Sequence, residues 1–201
     1  MGIHAPATPA VNISGYPLNI LNNDNAYVTD SIYPTWIGNA NGVDDSISAN
    51  YIYGSMLIIK ANVTATDICF ENTGTGDSGD DIRCGLWTSS AVGYPSSLLQ
   101  ETGETALDGT ADVRVASIPN QALTPGVYWL GMVSNATVNV SMTTFGLQWP
   151  DTSFGNVIWN GRVRSKAVRP GFYVAATYGA LPAISSPVWY SKGPTMGIKV
   201  A

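Results

Sequence analysis

Residues 123–142, LTPGVYWLGMVSNATVNVSM, decide how the rest of the chain reads. Pro125-Gly126 marks a turn, because Pro sets φ at its first central position and Gly accepts a positive φ at the second. Residues 127–133 form an unbroken apolar and aromatic run. The run is too short for a helix of about three turns and reads as a buried strand. Ser134-Asn135-Ala136 reverses the chain. From Thr137 the pattern alternates, with Val138, Val140 and Met142 on one side and Asn139, Ser141 and Thr143 on the other. That is the pattern of a strand with one buried face. The stretch is expected to be a hairpin whose first strand is central and whose second is half exposed. None of its residues suggests chemistry.

Strand signals of the same kind recur outward from this stretch every 8 to 15 residues. Upstream are AYVTDSIYP (26–34), DSISANYIYG (45–54), SMLIIKANVT (55–64), TDICFENT (66–73), DIRCGLWTS (81–89) and ADVRVASIP (111–119). Downstream are GNVIWNGRV (155–163), GFYVAATYG (171–179), SPVWYS (186–191) and MGIKVA (196–201). Clusters of Gly, Pro, Asn, Asp and Ser separate them. The best helical candidate is PSSLLQET (95–102), one or two turns at most. Many short strands with turn signals between them indicate an all-β, jelly-roll-like antiparallel β-sandwich, with a closed barrel as the lesser alternative. There is no internal repeat and no linker long enough to divide domains. Residues 1–20, with Pro6, Pro9 and Pro17, read as an extended N-terminal arm or a disordered tail, and residues 21–201 as a single sandwich domain.

Of the 201 residues, 45% are hydrophobic, enough for a real core, while only 11% are charged. Soluble domains usually carry about 25% charged residues. Ser, Thr, Asn and Gly must therefore make the surface, which suits a chain partly covered by neighbours or a secreted β-protein with a neutral surface. A net charge of −5 argues against nucleic acid as a partner. The one basic cluster, Arg162, Arg164, Lys166 and Arg169, reads as a solvated strand face or a dock for an acidic neighbour. No apolar run approaches the roughly 18 residues of a membrane span. The N-terminus shows neither a signal-peptide pattern nor a myristoylation pattern, so the expectation is synthesis in a cytosol or, as the lesser alternative, a signal removed before residue 1.

Catalytic residue types are scarce. The single His, His4, lies in the arm, which disfavours Ser-His-Asp, Cys-His and His-metal arrangements. The only glutamates are Glu71, Glu101 and Glu104, and no aromatic cleft frames them as a glycosidase pair. The chain is read as non-enzymatic, with no cofactor. Asp77, Asp80 and Asp81 cluster in a Gly-rich loop and could hold calcium, although Asp-Gly-Ser is also ordinary turn chemistry. Cys69 and Cys84 are expected to be buried thiols, with a disulfide possible if they fall opposite each other.

Six tryptophans are many: Trp36, Trp87, Trp129, Trp149, Trp159 and Trp189. Trp87 and Trp129 read as core residues. Trp149, in a loop-like stretch, and Tyr94, in VGYPSS, are candidates to stack on a sugar ring or anchor a partner. The sequons at Asn12, Asn62, Asn135 and Asn139 read as chance.

GLW (85–87), GYPSSLL (93–99), ETGET (101–105) and LTPGVYWLGMV (123–133), with LPAISSPVW (181–189) near the end, together resemble a pattern of tailed-bacteriophage virion proteins. The likeness covers residues 56–145, about half the chain. It implies a β-sandwich without enzymatic activity, located in the virion: a capsid decoration or cement protein, a head fibre, or a tail-fibre or baseplate domain. The chain has no stalk or coiled coil, which favours a short protein on a capsid or tail surface. The resemblance further implies virion proteins as partners, a homo-oligomer with a trimer favoured, and the arm as its lattice-contacting element. The alternative is a glycan- or receptor-binding module using Tyr94 or Trp149.

Overall fold

The two strands in residues 123–142 do not pair with each other. A computed structural model of the chain describes residues 32–34, 42–59, 61–91, 93–144, 158–159, 162–163, 171–190 and 192–201. Every helix-or-strand element among them is a strand. In chain order these are β1 (Ile32–Pro34), β2 (Gly42–Ile47), β3 (Tyr51–Ile59), β4 (Val63–Asn72), β5 (Asp81–Ser89), β6 (Pro95–Glu101), β7 (Thr105–Ala106) and β8 (Asp112–Leu123). Then follow β9 (Gly126–Ser134), β10 (Val138–Thr144), β11 (Ile158–Trp159), β12 (Arg162–Val163), β13 (Gly171–Ala175), β14 (Val188–Tyr190), β15 (Lys192–Pro194) and β16 (Met196–Val200).

Two antiparallel sheets result. The first runs β1-β16-β4-β10-β15, with β8 also on β4 and β2 also on β10. The second runs β14-β13-β3-β9-β5-β6, with β7 also on β5. β11 and β12 pair with each other. From β2 to β5, and again from β7 to β10, each connection crosses from one sheet to the other, which is the winding of a jelly-roll-like sandwich rather than a meander.

That winding explains the decisive stretch. β9 is central, between β3 and β5, as its unbroken apolar run predicts. β10 belongs to the opposite sheet, so the expected hairpin is an arch across the sandwich. Leu130 and Met132 reach the core from one side, and Val138, Val140 and Met142 reach it from the other. Each such burial is worth about 1.5–3 kcal/mol. A hairpin would have laid both apolar faces in one sheet; the arch sets them face to face. The turn is held by β5 and the loop before it: Ser134 Oγ donates to the Asp81 carbonyl (3.1 Å), and Asn135 Nδ2 donates to that of Gly79 (2.8 Å). Gly126 opens β9 without a positive φ, so the expected turn role of Pro125-Gly126 is not what forms.

Of the stretch 95–102, Pro95–Glu101 is a strand, not a helix. Its pairing with β5 overrides local preference and sends Leu98 to one face and Leu99 to the other.

Between the sheets lies the larger core, which includes Ile68, Phe70 and Ile198 from the first sheet and Leu57, Ile82, Cys84 and Leu86 from the second. A second core covers the opposite face of the second sheet. There Ile52, Met56, Trp87, Trp129, Val133 and Phe172 lie under Leu181 and Ile184 of the segment after β13. The tryptophans expected in the core are thus buried, but on the outer face of their sheet.

Cys84 points into the inter-sheet core. Cys69 sits between Ile68 and Phe70, so strand alternation turns it to the other face of the first sheet. Both are buried and free. The arm 1–20, Trp36, Trp149 and the side chains of Arg162, Arg164, Lys166 and Arg169 lie outside the described residues.

Candidate functional site

Tyr51 and Tyr53 stand two apart on β3 and therefore share a face. Tyr173 on β13 pairs with Tyr53, Val188 on β14 pairs with Tyr173, and Tyr190 pairs with Gly171. Directly opposed residues project to the same side of a sheet, so all five share the face turned toward the first sheet. Tyr53 and Tyr190 pack against the margin of the inter-sheet core, while Tyr51 and Val188 are exposed. The result is an aromatic shelf along one sheet edge. Its centroid separations are 6.1 Å (Tyr53–Tyr173), 5.6 Å (Tyr173–Tyr190), 6.4 Å (Tyr53–Tyr190) and 6.2 Å (Tyr51–Tyr173).

Next to the shelf, Lys192 is ion-paired with Asp45 of β2. The hydrogen bond from Lys192 holds the Asp45 carboxyl below its usual range, and the same bond raises the ammonium of Lys192. The shelf therefore offers tilted aromatic faces and phenol hydroxyls beside a locally neutral ion pair. That chemistry suits stacking on apolar C–H faces and hydrogen bonding to hydroxyls.

Tyr94 lies elsewhere, at the turn between β5 and β6. Its amide donates to Ser90 Oγ (3.0 Å), and its ring packs on Trp189 with centroids 4.9 Å apart. Trp189 in turn lies 5.7 Å from Trp129, and Trp129 lies 5.5 Å from Phe172. Half-buried Tyr94 is the outer end of an aromatic row that fills the second core.

The polar clusters hold loops. Arg83 on β5 reaches both Glu101 and Glu104 (3.7 Å each), and Glu101 Oε2 also accepts the Leu181 amide (2.8 Å). Tyr178 closes over this knot. Burial, and then the charges of Glu104 and Asp81, push its phenol up to about 12. Of the three glutamates, Glu101 and Glu104 thus share one guanidinium, and Glu101 also pins the segment that covers the second core. Glu71 is exposed on β4.

In the 73–81 loop, Asp80 Oδ2 accepts the Asp77 amide (2.9 Å), and the Asp80 amide donates back to the Asp77 carbonyl (3.1 Å). The Asp81 amide donates to Asn135 Oδ1 (2.9 Å). Among the described residues no three His, Cys, Asp or Glu side chains are grouped to hold a metal ion.

The shelf was not singled out in the sequence. The period-2 spacing of YIY (51–53) was its only local signal; Tyr173 arrives through strand pairing across more than 100 positions, and Tyr190 through the pairing of β14 with β13. No protein-family model matches this chain, and no curated protein matches it by sequence.

Proposed function

We propose that this chain is a non-enzymatic structural protein of a tailed-bacteriophage virion, of the capsid decoration or cement type. The observation that carries this reading is where its exposed apolar side chains sit. Among the described residues the large ones are Tyr51, Val113, Val115 and Val188, all on strands. Arg83, Glu101 and Glu104 are meanwhile engaged in holding the fold. That distribution supports work by surface contact. The likeness carried by GLW (85–87), GYPSSLL (93–99) and LTPGVYWLGMV (123–133), together with the low charge, points the contact toward virion proteins. Such a protein binds the assembled shell and stabilises it by mass action and avidity. It would be made in the host cytoplasm and reside in the virion. Mass spectrometry of purified virions should find the chain in many copies, and the purified chain should rebind shells that lack it. Deleting residues 1–20 should abolish rebinding if the arm is the lattice contact. Absence from virions together with failure to rebind would refute the reading.

The tyrosine shelf favours a second reading, a glycan-binding module of a virion or of a secreted protein. On a glycan array, binding that is lost in Tyr51→Ala and Tyr173→Ala would establish it. No binding to any glycan would remove it.

A further inference from the structure

Among the described residues β8 is the longest strand, with 12 residues. Among the described residues only one of its edges is paired: it runs antiparallel to β4, from Asn72↔Asp112 to Val63↔Leu123. The register shifts opposite residues 65–67. Pro119 stands in that irregular part, where the missing N–H of proline is tolerated on an edge strand. Residues 112–117 remain a regular strand. Ala116 and Ile118 point inward, so Val113 and Val115 face outward, 49% and 52% exposed. Among the described residues no strand pairs with this regular edge, where the Val113 amide donates only to Asp112 Oδ1 of its own strand (2.7 Å), and such an edge is a template for another strand.

We propose that this edge pairs antiparallel with the same edge of a second copy, about a twofold axis at Val113. In that register Val113 opposes its own counterpart, Ala111 opposes Val115, and Asp112 opposes Arg114 on both sides of the axis. Opposed residues share a face, so the valines join in one apolar strip and two Asp–Arg pairs form on the other face. Charge selects this register. An axis at Arg114 sets guanidinium against guanidinium, and an axis at Val115 leaves Arg114 opposite Ala116. Among the described residues Arg114 also has no carboxylate partner. Its Nη2 donates to the carbonyls of Asp108 (3.1 Å) and Thr110 (3.3 Å), its Nε is enclosed without an acceptor, and no ion pair among the described residues involves it. A twofold pairing of edges is closed, so it saturates at two copies.

This inference does not depend on the virion reading, and shell rebinding tests that reading separately. The test here is sedimentation velocity of the full chain and its variants, with circular dichroism confirming that each variant is folded. The wild type should be a dimer. Asp112→Arg places like charges opposite each other twice and should weaken the dimer on the order of tenfold. The double variant Asp112→Arg/Arg114→Asp should restore it, because the swap recreates both pairs. Val113→Lys, at an exposed position, should give a folded monomer. A monomeric or trimeric wild type would overturn the proposal. So would a dimer indifferent to both Asp112→Arg and Val113→Lys, or a folded double variant that stays monomeric.

Discussion

The indole nitrogen of Trp87 donates a hydrogen bond to the carbonyl oxygen of Pro182 at 2.9 Å, joining residues 95 positions apart. It is one of a row of bonds that fastens residues 176–187 over the outer face of the second sheet. The Ala176 amide donates to the Asn50 carbonyl (2.9 Å), and the Tyr178 amide donates to Asn50 Oδ1 (2.9 Å). The Leu181 amide meets Glu101, and the Ile184 amide donates to the Ser96 carbonyl (2.9 Å). Asn50 sits at φ 61°, in the left-handed region that Asn tolerates better than most residues. A segment without regular structure is thereby made part of the core.

Trp87→Phe keeps an aromatic ring in the second core and removes the donor to Pro182. Stability should fall by about 1–3 kcal/mol, from the lost hydrogen bond and the smaller ring. The covering segment should also become a protease site. Limited proteolysis read by mass spectrometry checks this; unchanged resistance within residues 176–187 means the bond does not hold the cover down.

Gly54, Gly131 and Gly85 pair in a line across β3, β9 and β5. The Phe172 ring lies over Gly54, and the Trp87 ring and a Leu181 methyl lie over Gly85. A methyl at Gly54 or Gly85 would overlap those side chains, whereas one at Gly131 would press the Tyr53 carbonyl at 3.0 Å and the Trp87 ring at 3.1 Å. Gly54→Ala and Gly85→Ala should each cost about 1–3 kcal/mol by overpacking, and Gly131→Ala less. Urea denaturation gives the order; equal costs at all three would contradict this account of the lane.

The Asp45–Lys192 pair should give a modest pH dependence. Asp45 is held below its ordinary 3.8, so its contribution is complete above that value and is lost as pH falls through the lower folded value. Lys192 is raised above 10.5, so its contribution is complete below that value and is lost only in stronger base. Both side chains are about one-third exposed, and solvent screening keeps the pair under about 1 kcal/mol. Asp45→Asn should therefore destabilise slightly at neutral pH, and the difference should vanish in strong acid. Thermal melts across pH measure it.

Both thiols should resist alkylation in the folded protein. Burial, then the Asp67 charge, raises Cys69 from 9.0 to about 11, and burial raises Cys84 further. A thiol raised by folding favours the folded state below its unfolded pKa, and this stability is lost as pH rises above 9. A thiol reagent at pH 8 should modify neither cysteine until denaturant is added, and then both. Rapid labelling of native Cys84 would contradict its burial.

The all-β class, the places of most strands and the burial of Trp87 and Trp129 were legible in the sequence. Alternation at period 2 and unbroken apolar runs are local consequences of which side of a strand meets water. The 95–102 stretch misled because two adjacent leucines fit a helical turn as well as a strand buried on both faces. Tyr94 was legible as a loop aromatic, but not as the end of a row running through Trp189 and Trp129.

By itself, then, the chain determined that strands form, which faces are apolar, and that the charge-poor surface is made of small polar residues. Only the tertiary structure decided which strand pairs with which. Residues 123–142 show this most clearly, because a hairpin and an arch share one alternation pattern and differ only in whether the chain hydrogen-bonds back on itself or crosses the core. That choice is set by partners far along the chain: β3 and β5 for the first strand, β2 and β15 for the second. The tyrosine shelf, and the β8 edge that no other described strand pairs with, follow from the same long-range pairing, which no local pattern records.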